Sequence, residues 1–146
     1  MIIIDATDLI LGRLASFTAK KALLGETVNI VNCENAVISG SKEDVLGGYQ
    51  ELMDKGSPKK GPFYPRMPDR MIRRTIRGML PYEIDKGKKA LKRVMCYIGV
   101  PSEFKDKKIL TIEDANVSRL NKSSNYVRVK DICKELGAGY LQRDGC

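Results

Sequence analysis

The apolar and polar positions of this chain repeat with two different periods, and together they predict a mixed α/β fold. Short runs rich in β-branched residues are found at Ile2–Ile4, Val28–Val31, Ala36–Ile38 and Val94–Ile98. Such runs are typical of strands whose two faces are both covered, as in a parallel sheet. Residues 9–24 instead carry apolar side chains at helical spacing. The first strand, this helix and the second strand therefore predict a βαβ unit with parallel strands.

Four more segments have helical character, and two of them, residues 69–80 and 86–93, separate charged from apolar side chains. The four segments span residues 42–53, 69–80, 86–93 and 130–136. The second is predicted to begin at a capping residue, Asp69, and to end before Pro81. Its arginines fall within an arc of about 100° and are expected to face outward; they are Arg70, Arg73, Arg74 and Arg77. Its apolar side, expected to pack on the sheet, consists of Ile72, Thr75, Ile76, Met79 and Leu80.

The net charge of +8 comes from one block of forty residues. Residues 54–93 hold thirteen basic and four acidic residues, a net charge of +9, whereas the rest of the chain carries −1. A basic block in an otherwise neutral chain is typical of a protein that binds a polyanion, and nucleic acid is the first candidate. A merely solvated helix face explains the four arginines poorly, because solvated faces usually mix both signs of charge.

A proline-rich segment, residues 56–68, lies near the start of this block. Four prolines and two glycines in thirteen residues exclude a regular helix or strand. One interpretation is an unstructured linker. The interleaved Lys59, Lys60, Phe63 and Tyr64 favour another, an extended arm that becomes ordered on RNA, where aromatic rings stack on exposed bases.

The sequence offers few side chains for catalysis or metal binding. It has no histidine, and its four cysteines are widely spaced, so they are interpreted as small buried hydrophobic residues rather than zinc ligands. No phosphate loop, dinucleotide-binding fingerprint or nucleophile elbow is present. Asp5, Asp8 and Glu34 lie near predicted strand ends and suit magnesium in principle, but carboxylates there more often cap helices or pair with arginine. We therefore expect no catalytic residue, no metal and no cofactor.

Length and composition predict a single intracellular domain, residues 1–146. No apolar run approaches the roughly 20 residues that span a bilayer, and the N-terminus lacks the basic leader of a signal peptide. Residues 1–53 and 94–100 are expected to form the sheet core, and residues 54–93 the basic arm and helices. Residues 101–146 form a C-terminal extension, whose end after Gly139 is expected to be poorly ordered unless a partner holds it.

Several short motifs occur in a specific order along the chain. They are Gly12–Ser16, Val31–Ala36, Ser39–Lys42, and then Arg77–Pro81 followed by Gly87, Ala90 and Val94–Gly99. In this order, over residues 1–104, they resemble the universal family of large-subunit ribosomal proteins numbered thirteen. The last set is the most specific, because it is similar to that family's basic helix end, Met-Leu-Pro turn and entering strand. The length, Pro65–Pro68 and Ser102–Phe104 resemble archaeal rather than bacterial members.

This resemblance implies a three-layer α/β/α fold with a four-stranded parallel sheet, to which the basic arm and helices are added. It also implies a cytoplasmic structural protein of the large ribosomal subunit. Such a protein binds large-subunit rRNA, supports subunit assembly and contacts neighbouring ribosomal proteins, with no membrane and no small-molecule substrate as partners. The expected RNA contacts are Arg13, Lys42, Lys59, Lys60, Tyr64, Arg66, Arg70, Arg73, Arg74, Arg77, Lys88, Lys89, Lys92 and Arg93.

Two other functions stay open at this level. A free RNA-binding regulator of translation would use the same residues, and co-sedimentation with large subunits separates it from a ribosomal protein. A nucleotide-binding enzyme is less supported, because a phosphate-binding loop is missing. Protection of the Gly12 and Arg13 amides by added nucleotide would support the enzyme.

Overall fold

The computed structural model describes residues 1–138, which contain five strands and five helices. In chain order these are β1 (Ile2–Asp5), α1 (Leu11–Leu23), β2 (Val28–Val31), β3 (Val37–Ser39), α2 (Lys42–Asp54), α3 (Pro68–Met79), α4 (Asp85–Lys92), β4 (Val94–Cys96), β5 (Tyr126–Arg128) and α5 (Val129–Glu135). The mixed α/β class and all five predicted helices are therefore confirmed. The chain beyond residue 138, including the predicted poorly ordered tail, lies outside the described residues. No helix within residues 1–138 is long and apolar enough to cross a membrane.

The parallel sheet has three strands, in the order β1-β2-β4, and the prediction of four is wrong. The predicted βαβ unit is present, since β1 and β2 are parallel with Ile4 opposite Ile30. A strand does form at β3, but only a short 3₁₀ turn separates it from β2. A parallel neighbour needs a crossover of about a dozen residues or more, so β3 cannot join the same sheet beside β2. It pairs antiparallel with β5 instead, with Ile38 opposite Val127.

The two faces of the parallel sheet are covered differently. One face contributes Ile4, Ile30 and Val94 to a large apolar cluster that also contains residues from α1, α3, α4 and α5. The opposite face contributes Ile3 and Val31 to a small cluster, which is completed by Phe104 and other residues of the segment 97–109. Because no helix among the described residues contributes to this second cluster, the expected three-layer α/β/α arrangement is not observed. A 3₁₀ turn, Ser102–Phe104, covers that face.

Helix α3 begins one residue before the predicted start. Pro68 occupies the first turn and Met67 is the capping residue, so the prediction of Asp69 as the cap is wrong. Proline suits this position because its missing N–H has no partner in the first turn and its fixed φ is already helical. Met71, Ile72 and Ile76 are fully buried, whereas Met79 is 42% exposed. The buried stripe is therefore rotated slightly from the predicted one, with Met71 replacing Met79.

Three of the four cysteines lie in the described part of the chain, and all three are buried free thiols: Cys33, Cys96 and Cys133. Each belongs to the large apolar cluster. Their interpretation as small buried hydrophobic residues is confirmed. Burial raises the pKa of the Cys133 thiol to about 12, and the nearby Asp69 carboxylate acts in the same direction, so this thiol remains protonated and unreactive at neutral pH.

Candidate nucleic-acid interface

Helices α3 and α4 place six cationic side chains along one open groove of about 600 Å³. We call this cavity the basic groove. It is lined by Arg70, Arg73, Arg74, Arg77, Lys88 and Lys92, together with Pro65, Tyr82 and Leu91. None of these lining residues is acidic, so the groove concentrates positive potential as a polyanion site requires.

The spacing of these residues explains why they face the same groove. Side chains three or four positions apart lie on one side of a helix, which brings Arg70, Arg74 and Arg77 together on α3 and Lys88 and Lys92 together on α4. Like charges so placed repel one another, and an isolated helix would gain nothing from them. The apolar sides of α3 and α4 pack in the large cluster, and this burial holds the cations in place.

Arg73 differs from its neighbours, and here the prediction of four outward-facing guanidiniums is wrong. Its Nη2 donates a hydrogen bond to the backbone carbonyl of Leu91 at 3.3 Å. Its Nε is buried and has no hydrogen-bond partner among the described residues. Arg70 and Arg74, by contrast, are exposed. Arg73 therefore ties α3 to the end of α4 as well as lining the groove.

Tyr82, which the sequence analysis did not single out, lies beside Arg77. The guanidinium carbon of Arg77 is 4.1 Å from the centroid of the Tyr82 ring, the geometry of a cation–π contact. The backbone next to this ring lies very close to α4: a Cβ atom on Gly87 would overlap the carbonyl of Pro81 and stand 2.9 Å from the nitrogen of Tyr82. A side chain at position 87 would therefore displace the Met-Leu-Pro turn and the tyrosine with it. The sequence contains only a weak indication that Tyr82 belongs to this site. An aromatic residue directly after Pro81 must lie near the end of α3.

A second cavity, of about 550 Å³, also has the Arg77–Tyr82 pair in its lining. We call it the turn cavity. Its lining residues are Arg74, Arg77, Gly78, Leu80, Pro81, Tyr82, Glu83 and Ile84. Three of them, Arg74, Arg77 and Tyr82, also line the basic groove, so the two cavities adjoin.

The proline-rich segment contains a tight turn rather than an arm extended throughout. The N–H groups of Lys60 and Gly61 both donate to the carbonyl of Ser57, at 3.2 and 2.9 Å. Lys59 and Lys60 are exposed on this turn, and Arg66 is exposed at the end of the segment. None of these three lines the basic groove.

The two aromatic residues of this segment differ in exposure. Tyr64 is half-buried against Tyr49 of α2, with the ring centroids 5.9 Å apart, whereas Phe63 is 73% exposed. Burial raises the pKa of Tyr64, and burial together with the neighbouring Tyr64 raises the pKa of Tyr49 to about 12. Tyr64 thus fastens the segment to α2, and Phe63 is the aromatic side chain left open to solvent.

Four other predicted contacts lie outside the basic groove. Arg93 donates from Nη1 to the carbonyl of Ala22 at 3.1 Å, which joins the end of α4 to the end of α1. Arg13 donates to the carbonyl of Asp114 at 2.9 Å. Lys42 lies 4.0 Å from Glu135 in an exposed ion pair, and Lys89 is exposed on α4. Arg93 and Arg13 therefore have structural partners on distant segments.

The three carboxylates that suit magnesium in principle all have protein partners. Asp8 pairs with Arg128 at 2.8 Å, and Glu34 accepts from the backbone N–H of Gly99 at 3.1 Å. Asp5 accepts from both the backbone and hydroxyl of Thr7 and from the amide of Asn32. Burial alone would raise the pKa of Asp5, but these hydrogen bonds outweigh it and the pKa lies below its usual value. The three carboxylates act as local structural acceptors. Within residues 1–138 no group of three or more potential ligands could hold a metal ion.

Comparison with known proteins identifies relatives along nearly the whole chain. The family model described as Ribosomal protein L13 matches residues 1–103. A large ribosomal subunit protein uL13 from Methanosarcina barkeri is 48% identical over 141 residues, covering 96% of this chain and all of that protein. Those from Methanococcoides burtonii and Archaeoglobus fulgidus are 46% and 43% identical, over 96% and 92% of this chain and 100% and 86% of their own lengths.

Proposed function

This chain belongs to the ribosomal protein L13 family, and from that premise we propose that it is a structural constituent of the large ribosomal subunit, in the cytoplasm, that binds large-subunit rRNA. The observation that carries the rRNA contact is the basic groove, where six cationic side chains from two helices line one surface without an acid. The protein has a structural role in this proposal and is not an enzyme.

Binding follows from the charge of the RNA backbone. Each phosphate that pairs with lysine or arginine releases condensed counterions into solution, which favours association and makes it sensitive to salt. Arginine also donates to phosphate from two nitrogens at once. We assign the direct phosphate contacts in the groove to Arg70, Arg74, Arg77, Lys88 and Lys92.

The remaining predicted residues divide into two groups. Lys59, Lys60 and Arg66 form a second contact surface on the proline-rich segment, with Phe63 rather than Tyr64 as its exposed aromatic residue. Arg73 and Arg93 mainly position the helices, since both donate to backbone carbonyls of other elements. Lys42, Lys89 and Arg13 are proposed as peripheral contacts.

A rigid groove suits a role in subunit assembly. The large apolar cluster joins residues from β1 to α5, which supports the proposal that the chain acts as a single domain. Because the helices that carry the cations are packed into this body before RNA arrives, little backbone entropy is lost on binding. The protein can then hold distant RNA segments in a fixed relation while the subunit forms. Residues 101–138 are proposed to contact neighbouring ribosomal proteins.

The experiment that tests this function is sucrose-gradient sedimentation of a cell lysate at low and moderate salt, followed by detection of the protein in each fraction. A stoichiometric amount in the large subunit that persists at moderate salt is expected. Recovery at the top of the gradient with RNA bound would instead favour the free translational regulator, which would use the same basic groove. Recovery there without RNA would leave the nucleotide-binding enzyme as the alternative to test.

A further inference from the structure

The Arg77–Tyr82 pair lines two adjoining cavities whose chemistry differs. The basic groove is lined by six cations and suits phosphate oxygens. The turn cavity shares Arg74, Arg77 and Tyr82 with the groove, but its other lining residues are Glu83 and the apolar or small residues Gly78, Leu80, Pro81 and Ile84. A phosphate at Glu83 would be repelled, whereas a flat, largely apolar group with polar edges suits such a lining.

We propose that the turn cavity binds one unpaired nucleobase of the RNA whose phosphates lie in the basic groove. This inference rests on the proposed function and adds the kind of RNA element that the site recognises, a bulged or looped-out nucleotide. The two cavities share Arg74, Arg77 and Tyr82, so a single strand can place its backbone in one and its base in the other.

Tyr82 provides the stacking surface. One part of its ring is covered by the Arg77 guanidinium at 4.1 Å, yet the residue remains 37% exposed and lines both cavities. A base that stacks on the remaining ring surface extends an arginine–tyrosine stack that already exists. Aromatic stacking of this kind accepts any base, because every base has a π-face.

A concave site favours an unpaired base over a paired one. The cavity, of about 550 Å³, is larger than a single base and has room for one, whereas a base pair inside a double helix cannot leave its stack to enter it. RNA exposes free base edges mainly in loops and bulges. The Glu83 carboxylate can accept a hydrogen bond from the amino or imino edge of such a base.

The cavity wall is rigid before any ligand arrives. The backbone of Pro81 and Tyr82 lies against Gly87 so closely that no Cβ fits between them. The N–H of Tyr82 donates to the carbonyl of Leu80 at 2.7 Å, and that of Ile84 donates to the carbonyl of Pro81 at 3.3 Å. These contacts fix the backbone that carries the ring, and the Arg77 guanidinium lies over the ring itself.

The test uses the full chain and two RNA hairpins that differ at one position. One carries a single bulged 2-aminopurine, whose fluorescence falls when it stacks, and the other has that nucleotide paired. We expect the wild-type protein to prefer the bulged hairpin and to quench its fluorescence. Tyr82→Leu should weaken binding of the bulged hairpin on the order of tenfold and abolish quenching, and should weaken binding of the paired hairpin much less. Tyr82→Phe, which keeps the ring, should behave as wild type.

Two results would overturn the proposal. Equal affinity of the wild-type protein for both hairpins, with no effect of Tyr82→Leu, would mean that the protein contacts only the sugar–phosphate backbone and binds no base. The proposed function would still stand in that case. Binding of neither hairpin would also reject it, and sedimentation with the large subunit would then show independently whether the proposed function survives. Thermal melts of both variants establish that any loss is not due to unfolding, and the behaviour of Tyr82→Phe separates loss of stacking from local rearrangement.

Discussion

The basic groove and the turn at Ser57–Gly61 carry the same kind of charge but hold it by different means. In the groove the cations stand on helices whose opposite sides, including Ile72, Ile76 and Ala90, are fully buried. In the turn Lys59 and Lys60 are exposed, and the segment is fastened to the core through Tyr64 against Tyr49. The number of charges alone therefore does not predict how much each residue contributes to RNA binding. Cations on helices that are packed into the core are expected to lose less backbone entropy on binding than cations on an exposed turn.

The largest effect is expected from a matched pair of double substitutions in these two regions. Arg70→Gln with Arg74→Gln should weaken binding to large-subunit rRNA on the order of tenfold or more and lower the slope of log affinity against log salt by about 1.5. Lys59→Gln with Lys60→Gln removes the same charge and should have a clearly smaller effect on both. Filter binding at several salt concentrations measures both quantities. Equal losses for the two doubles would show that preorganisation does not matter and that charge alone governs binding.

The rigidity of the groove can be broken at Gly87. Gly87→Ala should lower the free energy of unfolding by roughly 1–3 kcal/mol, because the added methyl group overlaps the Pro81 carbonyl. Gly78→Ala is the control, since a Cβ there meets no atom within 4 Å; alanine in this helix should be neutral or should stabilise by up to about 1 kcal/mol. Urea unfolding measures both. If the two variants were equally stable, the close approach at Gly87 would not be what fixes the turn.

Within the groove, substitutions of two neighbouring arginines should affect different properties: that of Arg73 the stability of the fold, and that of Arg74 the affinity for RNA. Arg73→Gln breaks the hydrogen bond to Leu91 and should lower the free energy of unfolding by about 1–2 kcal/mol. Arg74→Gln should leave stability nearly unchanged and weaken RNA binding instead, because its side chain is exposed. Thermal melts and binding isotherms on the same two proteins decide the matter. A stable Arg73→Gln protein would mean that this arginine is another free cation.

The smallest effect concerns the contact that fastens the proline-rich segment. Because the pKa of Tyr49 is raised to about 12 in the folded protein, the unfolded chain releases this proton first. Stability is therefore complete below the ordinary tyrosine pKa of about 10 and should fall as the pH rises from there to about 12. Tyr49→Phe should flatten this part of the stability–pH curve, measured by urea unfolding in alkaline buffers. An unchanged curve would contradict burial of the Tyr49 hydroxyl.

Local patterns in the sequence predicted the positions of the helices and strands better than they predicted which strands pair with each other. The helical period placed α1, α3 and α4 correctly, and the charge block located the groove, because both depend on neighbours within a turn or two. Strand β3 was assigned to the wrong sheet because its partner β5 has only three residues and lies about ninety residues further along the chain. A strand so short has no period of its own that could be recognised.

The same limit applies to the candidate site. The arc of arginines on α3 was read correctly, but the exception at Arg73 depends on a carbonyl 18 residues away. Arg93 was predicted to contact RNA from its charge alone, whereas in the structure its guanidinium joins the ends of α4 and α1. Tyr82 belongs to no periodic pattern in the sequence, and its role depends on how the Pro81 turn packs on Gly87. Side-chain roles that depend on long-range packing are not contained in local spacing.

The most direct test of the groove's role is ultraviolet crosslinking of protein to RNA in purified large subunits, followed by mass spectrometry of the crosslinked peptides. Crosslinks are expected to concentrate in residues 70–92, with Tyr82 among the modified positions and a weaker set in residues 59–66. Crosslinks confined to residues 105–122, or to α1 and α2, would contradict this expectation, because the basic groove would then face away from the RNA.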